Sequence, residues 1–205
     1  MPTFTLCVFN ETALANSDFA QGLADAKSYL TQVVAAKNIT VDFKQMPKNG
    51  AITKNTMAQR PAGAKLLCLV EDAQRGVKVA DLFDFKLTES QKTDAYGQRV
   101  LGMGPIRKPG IFLWEFEVSG IRRYGDTFDA RLRGNCLHEL GHSFGLLHEK
   151  GATNKERSDG LDLMVPEPNT RDSGAHYVPV DAAHVATWVE VFVKNDKGGF
   201  HYIAA

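Results

Sequence analysis

Cysteine is scarce: Cys7, Cys68 and Cys136 are the only three in 205 residues. An odd count excludes a fully paired disulfide framework, and two of the three sit inside apolar runs, so they read as buried free thiols. Neither sign of charge predominates, with 24 Lys+Arg against 24 Asp+Glu. That balance gives no support for binding nucleic acid or an acidic membrane. No apolar run approaches the roughly 20 residues that span a bilayer. The start, Met1-Pro2-Thr3-Phe4-Thr5-Leu6-Cys7, lacks the basic stretch and apolar core of a secretion signal. Localisation stays open between a cytoplasmic protein and a domain expressed without its secretion signal. Repeats, charged blocks and low-complexity segments are also missing. What is present is 43% hydrophobic residues, enough for one core, so a single domain over residues 1–205 and a monomer are expected.

Residues Thr3–Phe9 alternate and predict a strand. Phe19, Leu23, Ala26, Leu30 and Val33 recur at helical steps, with Asn16 or Ser17 as the cap. Ile39–Phe43 predicts a second strand, and the polar stretch with Gly50, Pro61 and Gly63 a loop. Lys65–Val70 is a short apolar run suited to a buried parallel strand. Gln98–Met103 and Ile111–Val118 read as strands separated by a turn-rich segment. A helix is expected after Asp126 or Thr127, with Leu137, Leu140 and Phe144 within a sector of about 60°. Glu167–Val180 reads as irregular. A last helix starts near Asp181, carries Val185, Trp188, Val189 and Phe192 as its apolar stripe, and stops near Gly198-Gly199.

The chemistry concentrates in His138-Glu139-Leu140-Gly141-His142-Ser143-Phe144-Gly145-Leu146-Leu147-His148. On a helix, His138 and His142 project from one face and can share a metal ion. Glu139, rotated by about 100°, can reach a water on that ion but is poorly placed to ligate it. Gly145 allows the sharp turn that brings His148 round as a third nitrogen. A bare H-E-x-x-H arises by accident often enough to carry modest weight; the longer pattern fixes five positions and does so far more rarely. Structural zinc normally has four protein ligands, often cysteines, whereas three His leave one position open beside a carboxylate. The pattern therefore points to one catalytic Zn2+, with an inert or structural metal as the alternative.

These residues resemble the metzincin metallopeptidases, whose H-E-x-x-H-x-x-G-x-x-H motif is matched at every fixed position. Asp162-Leu163-Met164-Val165-Pro166 is similar to the Met-turn of that clan, in which Met164 would form an apolar floor beneath the His rings without ligating. Glu149 after the third His is similar to astacins, while Leu163-Met164-Val165-Pro166 is closer to the matrix metallopeptidases, with Val165 where they carry Tyr. The subfamily is left unassigned. The resemblance implies an α+β fold: a twisted mixed sheet, a backing helix, an active-site helix, a Met-turn and a C-terminal helix. It implies an upper subdomain of about 1–145 and a lower one of about 146–205. It also implies that the sheet's first and third strands are neighbours, which would bring Cys7 near Cys68.

The activity it implies is zinc-dependent endopeptidase action on an extended peptide or protein. His138, His142 and His148 would hold zinc and Glu139 would act as general base. The alternative is a metzincin-fold zinc-binding module without turnover. Tyr177 is a candidate oxyanion donor, set against a tyrosine packed on the surface. Gly102 and Met103, on the candidate edge strand, are possible substrate-binding positions, set against ordinary loop residues. Glu167–Val180 would form the wall of the pocket just beyond the scissile bond. His184 and His201 read as structural or solvated. Asp159-Gly160-Leu161-Asp162 lacks the oxygen-ligand spacing that calcium requires.

Overall fold

Alternation along the first strand sets the architecture. In β1 (Thr3–Asn10), Phe4, Leu6 and Val8 are fully buried on one face, while Cys7 and Phe9 lie on the other. Burying each of the large apolar side chains stabilises by about 1.5–3 kcal/mol, more than the whole span of intrinsic strand preference. Burial therefore pins the register, since a one-residue slip would turn every side chain over. The computed structural model describes residues 1–83, 102–103, 111–115, 128–144 and 182–199.

Within those residues the chain forms a five-stranded mixed sheet of order β2-β1-β3-β5-β4. The strands are β1, β2 (Thr40–Gln45), β3 (Ala64–Val70), β4 (Gly102–Met103) and β5 (Ile111–Glu115). β1 runs parallel to both β2 and β3, and β3 parallel to β5, while β4 pairs antiparallel with β5. The expected proximity of first and third strands holds: Cys7 pairs with Leu66 and Phe9 with Cys68. All three thiols are free, with Cys68 and Cys136 buried.

Helices cover both faces. α1 (Ala20–Val34) joins β1 to β2 and buries Leu23, Ala26, Leu30 and Val34. It runs into a 3-10 turn over Ala35–Lys37, closed by Asn38 in the left-handed region at φ 54°, a conformation asparagine tolerates better than most residues. α4 (Phe128–Ser143) and α5 (Ala182–Asn195) lie on the same side of the sheet, and both pack on α1. Phe4, Leu6, Val8, Leu67 and Leu69 meet these helices in the larger core. The opposite face packs Phe9, Leu66, Cys68 and Val70 against Ile52, Met57 and Leu82. Met57 comes from the short α2 (Lys54–Ala58) and Leu82 from α3 (Asp72–Phe83).

Several local expectations are corrected. The segment read as loop between Gly50 and Gly63 contains α2, whose first turn is capped by the Thr53 hydroxyl accepting from the Thr56 N–H at 3.1 Å. Neither Asn16 nor Ser17 caps the helix that follows β1. The Asp18 carboxylate accepts from the Ala15 N–H at 2.8 Å, and Asn16 is drawn away to donate to the Met46 carbonyl at 3.0 Å. In α5, Val185 and Val189 are buried as expected, but Trp188 is 41% exposed. The helix also ends at Asn195, before the two glycines. Gly198 and Gly199, at φ 77° and 67°, serve a close approach instead: a Cβ on Gly198 would stand 2.5 Å from the Arg60 carbonyl oxygen.

Candidate active site

The helix carrying His138 begins at Phe128, directly after the expected caps. Leu132, Cys136, Leu137 and Leu140 recur at helical steps and are buried in the larger core together with Phe144, which follows the helix. Their seat is shaped by a glycine. A Cβ on Gly22 of α1 would lie 2.7–2.8 Å from Cβ, Cγ and Cδ2 of Leu132, so α4 approaches α1 as closely as a bare Cα permits. α4 also packs on β5 and on β4.

His138 and Glu139 are only 6% and 8% exposed. Leu137, Leu140 and Phe144, within one sector as expected, face the core. His138 is enclosed as well, because α4 is lodged between α1 and the β5/β4 side of the sheet. His142 lies one turn further along the same helix, and Ser143 closes it. Gly102 and Met103 form β4, paired as Gly102 with Trp114 and Met103 with Leu113 at the sheet's outer side. The rest of the candidate strand Gln98–Met103 lies outside the described residues, as do Gly145, His148, Met164, Tyr177, His201 and the wall segment 167–180.

Glu139 leaves an electrostatic mark on Cys136. Burial pushes the Cys136 thiol up to about 12, and the Glu139 carboxylate adds to the effect. A buried thiol of this kind is protonated at neutral pH and a poor nucleophile.

Behind the end of α4 stands a residue that the sequence reading passed over. Lys65, the second residue of a strand buried at all seven positions, has 0% exposure. Its ammonium donates to the Ser143 carbonyl at 3.0 Å and sits 4.5 Å from the ring centre of Phe144 and 4.4 Å from that of Phe192. Burial, and then the positive charge of Arg60, lower its pKa to about 7, with Asp196 opposing. The available signal was the lone charge in Ala64–Val70, since lysine is almost never fully buried without partners.

Arg60 and Asp196 complete this region. Arg60 grips the Asp196 carboxylate with two bonds of 2.6 and 2.7 Å and donates to the Gly199 carbonyl at 3.0 Å and to the Ala64 carbonyl. Asp196 also accepts from the Gly63 N–H at 2.8 Å. Although burial alone would raise the Asp196 pKa, the Arg60 bonds and charge hold it below the usual carboxylate value. The pair fastens the end of α5 to the start of β3, which supports Phe192 against Lys65.

Among the described residues no three His, Cys, Asp or Glu side chains stand together as a metal-binding group. Two of the expected donors, His138 and His142, share α4 at four-residue spacing, and the third lies outside the described residues. Imidazole donors suit zinc, so the donor types present on α4 fit that ion.

No protein-family model and no curated protein matches this chain. Among solved structures it is similar to the archaemetzincin of Methanopyrus kandleri, with a TM-score of 0.42 and 14% identity over 95% of this chain and 96% of that one. It is also similar to metalloproteinase-II from Bacteroides fragilis, with a TM-score of 0.41 and 13% identity. That second match covers 94% of this chain, which spans about half (52%) of the Bacteroides protein.

Proposed function

We propose that the chain is a zinc-dependent endopeptidase of the metzincin type. The observation that carries this is the placement of His138 and Glu139, enclosed on a helix that bears His142 one turn later. That helix ends two residues before the glycine of the long motif. His138, His142 and His148 would hold one ion. When bound, zinc supplies Lewis acidity, which brings a water's pKa near neutrality and polarises a carbonyl.

The remaining chemistry belongs to Glu139. Its carboxylate takes a proton from the attacking water and delivers it to the leaving nitrogen, the general-base and general-acid halves of amide hydrolysis. Enclosure on α4 keeps that carboxylate from bulk water, where competing hydrogen bonds would weaken its directing effect. β4, at the outer side of the sheet and packed beside α4, would pair with an extended peptide through its backbone. Met164 would floor the metal site, and Tyr177 would donate to the developing oxyanion.

A quenched-peptide assay with and without a chelator tests the reading, together with elemental analysis. Chelator-sensitive internal cleavage by protein containing one zinc supports it. Zinc without cleavage leaves a metal-binding module, and absence of zinc uptake overturns both.

A further inference from the structure

We propose that Lys65 is a positioning residue for the metal site, holding the C-terminal turn of α4 through the Ser143 carbonyl. The inference rests on the zinc reading above. Helices end with carbonyls that lack intrahelical partners, and a cation there is favoured by both hydrogen bonding and the helix dipole. Here the Phe144 N–H closes the last turn on Leu140 and Gly141 at 3.2 and 3.0 Å. The Ser143 hydroxyl bonds back to the Leu140 carbonyl at 2.6 Å. The carbonyl of Ser143 itself goes to Lys65 at 3.0 Å.

This carbonyl belongs to the residue directly after His142 and to the peptide from which the chain departs toward Gly145 and His148. Fixing that peptide plane fixes the helical turn on which His142 stands. Lys65 is well built for this. It projects from β3, the middle strand of the sheet, and its ammonium is held by the Phe144 and Phe192 rings at 4.5 and 4.4 Å. Phe4 packs against both rings, with centroids 5.6 and 6.1 Å away, so the cage is braced from the adjacent strand β1. A buried charge is expensive, and an apolar residue of similar volume would often be as stable or more so. Stability alone therefore gives little reason for a lysine at this position.

The test measures zinc affinity by competition with a chelator, alongside thermal unfolding of the metal-free protein. Lys65→Met removes the donor at nearly constant volume. We expect it to keep or raise the metal-free Tm while weakening zinc binding by about 10–100-fold, the range seen when partners that orient metal ligands are lost. Lys65→Gln, with a shorter neutral donor, should fall between the two and covers the case in which the Met variant does not fold. If the lysine only stabilised the fold, its replacement would lower the Tm and leave zinc affinity where it was. Folded variants with wild-type affinity, beside a wild type that binds zinc, would overturn the role of Lys65 and leave the zinc reading standing. A wild-type protein that takes up no zinc would instead sink the zinc reading itself.

Discussion

Gly22 and Leu132 meet so closely that a methyl group on the glycine would lie 2.7 Å from Leu132 Cδ2 and 2.8 Å from its Cβ. The Cβ cannot swing away, so relief requires α4 to move off α1. Glycine within a helix gives up about 1 kcal/mol relative to alanine, a loss tolerated here because it seats the helix carrying His138 and Glu139. Gly22→Ala should recover that propensity yet lose about 1–3 kcal/mol to overpacking. The net effect expected is destabilisation of up to about 2 kcal/mol. Urea unfolding measures it, and a variant more stable than wild type would show that α4 is not held at that spacing.

Glu139→Gln should leave the fold and zinc content intact while lowering peptide hydrolysis by about 10²–10⁴-fold, the usual contribution of a positioned acid–base group. The substitution is close in shape and removes only the proton-accepting capacity. Turnover near the wild-type rate would exclude Glu139 as the base.

Asp196→Ala should destabilise strongly. It leaves the Arg60 guanidinium, whose side chain is 1% exposed, without its carboxylate, and breaking such a pair from one side costs about 3–5 kcal/mol. Replacing both residues with apolar ones should be milder, with a remaining loss from the Gly63 N–H and the Ala64 and Gly199 carbonyls that lose these partners. A double-mutant cycle in urea separates the two cases. The pair also contributes to acid stability: with the Asp196 pKa held below 3.8, its contribution is present above that value and is lost as pH falls through the folded one.

On the alkaline side two effects oppose each other. The Lys65 pKa is lowered from 10.5 to about 7 by burial and then by Arg60, against Asp196. Between those values the unfolded chain binds more protons than the folded one, so this residue makes stability rise with pH. Burial pushes the Cys68 and Cys136 thiols up. The folded chain therefore keeps protons that the unfolded chain releases above about pH 8.5, and there stability falls. Lys65→Met should flatten the rise between about pH 7 and 8.5 and, because the Lys65 effect no longer opposes the thiols up to 10.5, steepen the later fall. Urea midpoints measured across that range check the sign, and identical profiles for the two proteins would contradict it.

Thiol labelling of the folded protein should reach Cys7 first, since Cys68 and Cys136 are buried and Cys7 only partly so. Mass spectrometry under denaturing, non-reducing conditions should find no disulfide. Cys7 stands opposite Leu66 and Cys68 opposite Phe9, two residues out of register. By strand geometry that separates their Cα atoms by about 8 Å, more than the roughly 7 Å a disulfide spans. The neighbouring strands therefore do not bring the two thiols into bonding range.

Local patterning made much of the fold legible. Alternation in Thr3–Phe9 and the apolar run Lys65–Val70 read directly as β1 and β3. The three- and four-residue recurrence of Leu23, Ala26 and Leu30 read as α1. The start of α4 after Thr127, and the presence of His138, Glu139 and His142 along it, were equally readable. Each signal depends only on neighbours within a few turns of chain. α3 escaped notice because Asp72–Phe83 is polar on average and interrupted by Gly76. It holds as a helix beside the sheet, with Leu82 in the smaller core and Lys78 bound to Glu11 at 2.6 Å.

Tertiary structure alone decided the rest. Arg60 meets Asp196 across 136 residues of sequence, and no periodicity announces a partner at that distance. Lys65 looked like the edge of an apolar run until β3 became an interior strand with aromatic side chains from two different segments around its ammonium. The enclosure of His138 and Glu139 was likewise invisible in the motif. Spacing along one helix determines which side chains can act together, but burial depends on what the chain brings back from far away to cover them.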